Sequence, residues 1–447
     1  NPMNRRKFIQ SAAMAAAGPL LFTNTKLFGA DAPSNKLNLA LIGTWGRGEA
    51  HFSALKSQNV VALCDINDDH LAFGAKQFPK AAKYIDWRKL LDDHQKLGLD
   101  GVIICTADHH HAFISNWALN RGLHVYCEKP LANTIEEARI VRANYLSKKN
   151  KLATQVGMQR HAFQNFNRLR ELVRGNAIGE LSAAYAWGNR QIRRPGYYPS
   201  AGNPPSNLHY DLWLGPAPYH PYNPGYFKGG PGANCLEWNM FWDFGNGQIG
   251  DMGSHTMDLL WNVVDAQYAT TAEASGEAFN KDVSPVTMES HFENPANDWR
   301  GPIKISWYQG GAMPKSPVSW LDLNKIDHGA MFKGSKGFIV ANFTSRMIIP
   351  VGDGADMTYY KSPAKDELLP TVGGFQEEWF NACKSLKKTS CDFDYSGTMI
   401  EQMLLGLVAY RAGKKIEYDG SKGVVTNDAD ANQYLSRQYR AGYTLNG

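Results

Sequence analysis

The chain has 447 residues, 43% hydrophobic and 12% aromatic, which exceeds one average domain and marks an ordinary globular protein with a sizeable core. Its formal net charge of +5 is concentrated at the start, where residues 1–30 hold Arg5, Arg6, Lys7 and Lys26 and no acid. The remainder is near charge balance, so no basic face for nucleic acid follows.

Met3 reads as the native start, preceded by Asn1 and Pro2. Asn4-Arg5-Arg6-Lys7-Phe8-Ile9 with the apolar stretch Ala12 to Phe22 resembles a twin-arginine (Tat) export signal, and residues 1–32 are assigned to that signal or to an N-terminal arm. The apolar stretch is too short for a stable membrane span. Ala30-Asp31-Ala32 has the small residues of a cleavage site, although Pro33 hinders cleavage there. The expectation is a periplasmic or extracytoplasmic protein, exported folded with a cofactor already in place. The six cysteines lack C-x-x-C spacing and are expected as free thiols; a zinc site is not expected.

Residues 36–157 alternate strand and helix patterns, which predicts a doubly wound parallel sheet of Rossmann type. The apolar run Leu37 to Ile42 leads into Gly43-Thr44-Trp45-Gly46-Arg47-Gly48 and then a helix from Glu49, the context of a pyrophosphate-binding turn. Trp45 occupies the middle position of the G-x-G-x-x-G register. Either Gly46 takes that role in a different turn, or Trp45 points away from the cofactor. The next strand, Val60 to Cys64, ends at Asp65, whose carboxylate would accept ribose hydroxyls and repel a 2′-phosphate; NAD is favoured over NADP. A third strand ends at Thr106 and runs into Asp108-His109-His110-His111, expected to line the cofactor crevice, because adjacent side chains diverge too far to share a metal. Val125 to Cys127 then presents Glu128-Lys129-Pro130 at a strand's carboxyl end, and Thr134 with Glu137 forms a capping box for the following helix. Leu152 to Gly157 is a further strand, and Gln159 follows it.

Residues 158–447 are rich in aromatics, glycine and proline in their first part and form the expected substrate-binding and oligomerisation domain. The segment from Gly245 passes through Asp251 to His255, spaced i, i+4 on one helical face. That pair is either a cap with a core histidine or a carboxylate beside a general base. Ile303 to Trp307 and Gly337 to Val340 read as strands, and Gly373 to Leu386 and Gly397 to Gly413 as helices, the first able to pack back on the nucleotide-binding half.

The glycine turn, Asp65, Thr106 with His111, Glu128-Lys129-Pro130 and Gly157-Met158-Gln159-Arg160 together resemble the Gfo/Idh/MocA oxidoreductases. Trp45 departs from that pattern, as does Ala107, where the family usually has proline. The resemblance implies a C-terminal α+β domain with a large open, mostly antiparallel sheet and a homodimer or homotetramer built through it. It also implies Lys129, Asp251 and His255 around a reacting sugar hydroxyl. The cofactor would be held by Gly43, Trp45, Gly46, Arg47, Gly48, Asp65, Thr106, His109, His111, Glu128, Lys129 and Gln159. The expected activity is NAD-dependent oxidation of a sugar or glycoside with tightly bound cofactor. The alternative is a redox-neutral glycosidase or lyase working by transient oxidation, elimination and hydration. A cofactor-retaining binding protein without turnover is the remaining class.

Overall fold

A computed structural model describes residues 35–352 and 356–447. The export-signal segment, residues 1–32, lies outside the described residues. Strands β1 (Asn38–Ile42), β2 (Asn59–Cys64), β3 (Ala82–Tyr84), β4 (Gly101–Ile104), β5 (His124–Glu128) and β6 (Thr154–Gly157) form one parallel sheet in the order β3-β2-β1-β4-β5-β6. Every neighbouring pair is parallel. The central strands are buried on both faces, which is why they read as continuous apolar runs rather than alternating ones. Strand order reverses between β1 and β4, and the crevice beyond their carboxyl ends is where such a sheet binds ligands. Thr134 caps the helix Ile135–Lys148 by accepting from the Glu137 amide at 3.1 Å, while the Glu137 carboxylate reaches back to the Asn133 amide.

The second sheet has nine strands: β7 (Leu181–Gly188), β8 (Thr271–Gly276), β9 (Met288–Asn294), β10 (Ile303–Gln309), β11 (His328–Gly334), β12 (Gly337–Ala341), β13 (Arg346–Pro350), β14 (Ile416–Asp419) and β15 (Val424–Val425). It is antiparallel except for the β7–β10 pair. Strand β7 gives little sequence signal because Ala183, Ala184 and Ala186 have weak strand preference; its small side chains let the helix Met252–Val264 lie against it. The helix Phe375–Ser385 does return to the parallel sheet, where Gln155 Nε2 donates to Phe375 O at 2.7 Å and Trp379 is fully buried edge-on to Tyr126. The helix Phe393–Ala412 joins the two sheets, packing on β8 and on the helix Ile135–Lys148. All six cysteines are free, as expected. Among the described residues no helix is long and apolar enough to cross a membrane.

Between β7 and the helix Met252–Val264 the chain makes a long excursion, residues 189–251, with its own aromatic cluster around Trp213, Tyr226, Phe241 and Phe244. This excursion reaches the carboxyl end of the parallel sheet, where its Leu208 forms an isolated antiparallel bridge with Asn67 just beyond β2. Its aromatics are therefore largely a packed layer over the crevice.

Candidate functional site

A cavity of about 480 Å³ lies between the carboxyl ends of the parallel strands, the start of the helix Met252–Val264 and the underside of the excursion. At one end, Gly43 adopts φ +92°, and a β-carbon there would meet Cys105 O at 2.4 Å, so glycine is required by both conformation and space. A side chain at Gly48 would lie 2.1 Å from Gly43 O; this glycine closes the turn on itself. Gly46, at φ +66°, faces Asn234 of the excursion. Gly46 and Gly48 shape the turn and do not line the cavity. The expected helix from Glu49 is a 3-10 turn, Gly46–His51, followed by the short α-helix Phe52–Leu55.

Trp45 does line the cavity, stacked on His70 with centroids 4.3 Å apart and planes 9° apart, a flat wall beside Asp65. Trp45 thus faces the cavity rather than turning away from it. Asp65 accepts from the Thr44 amide at 3.0 Å and the Asn67 amide at 3.0 Å, which fix its carboxylate at the cavity edge. Thr106 and His111 also line the cavity. The His111 ring spans Pro130 O at 2.7 Å and Thr106 O at 3.0 Å, tying the β4 and β5 ends together. His109 is a correction to the sequence expectation. Its ring is buried behind the cavity wall against Trp213 and Phe244, with Nε2 2.8 Å from Trp213 O, because the 3-10 turn Asp108–His110 rotates it away from the cofactor crevice.

Glu128 and Lys129 are adjacent yet face different partners. Glu128 is buried, accepts from Arg47 Nε at 2.9 Å and lies 2.7 Å from His51 Nε2. Burial pushes its carboxyl up, but the Arg47 and His51 charges and hydrogen bonds hold it down at about 2. Cys105 approaches the same cluster, but burial raises its thiol well above the usual range, so it offers no thiolate. Lys129, joined to Pro130 by a cis peptide, donates from Nζ to Asp251 Oδ1 at 2.8 Å. Burial disfavours its ammonium, but the Asp251 carboxylate more than offsets this and the pKa ends raised. Asp251 is itself pushed up by burial and brought below the ordinary carboxylate range by Lys129 and Arg190, whose Nη1 donates to Oδ2 at 2.5 Å.

Asp251 sits just before the helix and His255 in its first turn, both lining the cavity. The expected Asp251–His255 pairing does not form: both carboxylate oxygens are taken by Lys129 and Arg190, and His255 Nδ1 has no protein partner. Burial first, and then the positive charges of Lys129, Arg160 and Arg47, depress the His255 imidazole well below its ordinary range, so it is neutral at neutral pH. Gln159 lines the cavity with an unpartnered buried Oε1. Asp108, Arg160, Arg190 and Cys235 also line the cavity, although none of them was singled out individually as a site residue from the sequence. Asp108 belongs to a histidine-rich turn that draws attention to the rings, and Arg190 follows the weakly signalled β7. Arg160 does stand within the Gly157-Met158-Gln159-Arg160 motif, the one signal that could have found it.

Residues 37–157 match the model of an oxidoreductase family's NAD-binding Rossmann fold, and residues 195–445 match the C-terminal α/β domain of the same Gfo/Idh/MocA family. A glycosyl hydrolase family 109 protein of Stenotrophomonas maltophilia is 35% identical over 149 residues, 30% of this chain and 31% of that protein. An inositol 2-dehydrogenase of Salmonella paratyphi B is 29% identical over 150 residues, 32% of this chain and 43% of that protein. The matched segments thus span less than half the length of these curated relatives. Among solved structures, the WlbA dehydrogenase of Chromobacterium violaceum, in complex with NADH and UDP-GlcNAcA, has a TM-score of 0.60 at 16% identity, covering 88% of this chain and 99% of that one. At that identity the likeness is one of fold.

Proposed function

The chain belongs to the Gfo/Idh/MocA oxidoreductase family, and from that premise we propose that it oxidises a sugar or glycoside hydroxyl using an NAD that it retains between turnovers, the reduced cofactor being reoxidised by a second, carbonyl-bearing substrate that takes up the hydride. The residues fit such a cofactor: a glycine turn closed against β4, Asp65 at the crevice edge, and unpartnered buried polar atoms on Gln159 and His255 at the opposite end. Asp65 favours NAD over NADP because a 2′-phosphate would meet a carboxylate already fixed by two amides. The observation that carries retention is the clasp of the excursion on the β2 end. His209 N donates to Ile66 O at 2.8 Å, Asp68 N donates to Asn207 O at 2.8 Å, and Asn207 Nδ2 donates to Asp69 Oδ2 at 2.7 Å. A dinucleotide lying across Asp65 would have this strap over it. Retention also suits the twin-arginine signal expected in residues 1–32, since an exported enzyme meets no nicotinamide pool.

NAD, when bound, supplies the hydride acceptor. The protein's part is to move the proton and steady the charge. His255, neutral and with an unused ring nitrogen, accepts the proton of the substrate hydroxyl. The Lys129 ammonium, pinned by Asp251, stabilises the negative charge that develops on that oxygen. Asp251 positions Lys129 and keeps it charged, and does not act through His255. The match to a glycosyl hydrolase family 109 protein favours one second reading, a redox-neutral glycosidase in which the ring hydroxyl is oxidised, the aglycone eliminated, water added and the ketone reduced again.

Denaturing the purified protein and identifying the released nucleotide by mass tests retention: NAD(H) at near-stoichiometric yield is expected, and nucleotide-free protein overturns it. Incubating an aryl glycoside without added NAD separates the two chemistries. Repeated aglycone release marks the glycosidase, and a single equivalent of reduced cofactor marks the dehydrogenase.

A further inference from the structure

We propose that the substrate carries an anionic group, a carboxylate or a phosphate, held by Arg160 and Arg190 beside the reacting carbon; this rests on the oxidoreductase reading of the same cavity. The cation count at that end exceeds what the protein itself neutralises. Arg190 spends one nitrogen on Asp251, which is already shared with Lys129, and its other donors have no protein partner among the described residues. Arg160 forms no ion pair among the described residues. Its guanidinium lies over the Phe343 ring at 4.8 Å, its polar contact is the Met252 sulfur at 3.4 Å, and it lines the cavity. The other carboxyl group there, Asp108, is pushed well above the usual range by burial, which disfavours its charged form.

Partly desolvated arginines are ordinarily paired, and a guanidinium fork matches carboxylate and phosphate geometry. The cofactor's own phosphates do not fill this role. They belong at the amides of the Gly43–Gly48 turn, whereas Arg190 is bonded to Asp251 and Arg160 to Met252, at the start of the helix that carries His255. An anion at this point has a second consequence. Arg160 is among the charges that depress the His255 imidazole, so neutralising it makes His255 a stronger base only when the correct substrate is bound.

The test is calorimetric binding to the NAD-loaded protein of sugar pairs matched except for charge: glucuronic acid, galacturonic acid and glucose 6-phosphate against glucose and galactose. At least one anionic sugar is expected to bind about ten-fold or more tighter than its neutral partner. R160Q, which breaks no internal ion pair, should abolish the preference, and R160K should restore part of it. The pH–rate profile of R160Q should shift its acid limb upward, since His255 loses a repelling charge. Equal binding of charged and neutral sugars, binding of no anionic sugar, or a preference that survives R160Q and R190Q alike would each overturn the proposal. Anion-selective binding with no change in nicotinamide absorbance would leave it standing and reject the redox reading. Turnover confined to neutral sugars would do the reverse.

Discussion

The two ends of the cavity are built on opposite electrostatic plans, although Glu128 and Lys129 deliver them from adjacent positions. At the glycine-turn end, one buried carboxylate is matched by Arg47 and His51. At the other, Lys129, Arg160 and Arg190 converge where Asp251 is the one firmly ionised partner. The first arrangement stabilises the turn and strand ends; the second leaves cations with spare donors facing open volume. A charge cluster that closes on itself serves the fold, and one that does not is available to a ligand.

The largest expected effect separates chemistry from scaffold. Replacing His255 by Ala should lower the rate of bound-cofactor reduction by about 10²–10⁴-fold, with NAD content unchanged by mass. A variant that turns over normally would remove His255 from the site. Breaking the other end should act on stability instead. Glu128→Ala leaves His51 fully buried and Arg47 half-buried without their carboxylate, a loss of about 3 kcal/mol in chemical denaturation. Unchanged stability in that variant would show that the cluster does not hold the turn.

Acid sharpens the contrast by a smaller amount. The Glu128 carboxyl, held at about 2 against an ordinary 4.5, contributes stability that is fully present above 4.5 and lost only as pH falls toward 2. His110 has its imidazole lowered by burial to about 4 against an ordinary 6.5. It sits where the excursion meets the parallel sheet, 2.7 Å from Trp213 O. Its unfolded form binds the proton first, so stability falls by about 1.4 kcal/mol for each unit of pH below 6.5, until the folded pKa is reached. Carboxyls raised by burial, such as Asp108, act in the opposite sense, so the His110 contribution is read from urea melts of the protein and of a His110→Asn variant at stepped pH: the stability difference between them should shrink as pH falls from 6.5 to 4.5. A difference that stays constant over that window would mean that burial does not hold the proton off the ring at residue 110.

Much of the first region was legible in the chain because its signals are contiguous. The apolar runs of β1, β4 and β5, the glycine turn and Asp65 at the end of β2 each constrain the backbone over a few residues. The parallel sheet follows from them with its crevice. The family resemblance, where spacing alone left a cap with a core histidine equally open, implied Lys129, Asp251 and His255 as chemical candidates, and the cavity gathers all of them. What spacing could not supply was the partner of each group. The i, i+4 interval between Asp251 and His255 suggested a dyad. The actual partners of Asp251 come from just beyond β5 and just beyond β7, more than sixty residues away in sequence by the shorter path, and His255 Nδ1 has none in the protein. The three neighbouring histidines looked alike in sequence, yet one 3-10 turn sends His109 into the aromatic layer while His110 and His111 reach the cavity wall. The sequence by itself determined the nucleotide-binding sheet and its glycine turn, because those depend on local conformation and hydrophobic pattern. Only the tertiary structure decided which charges are neutralised and which stay available, since Coulomb interaction and desolvation depend on distance and burial, and neither is a property of any short stretch of chain.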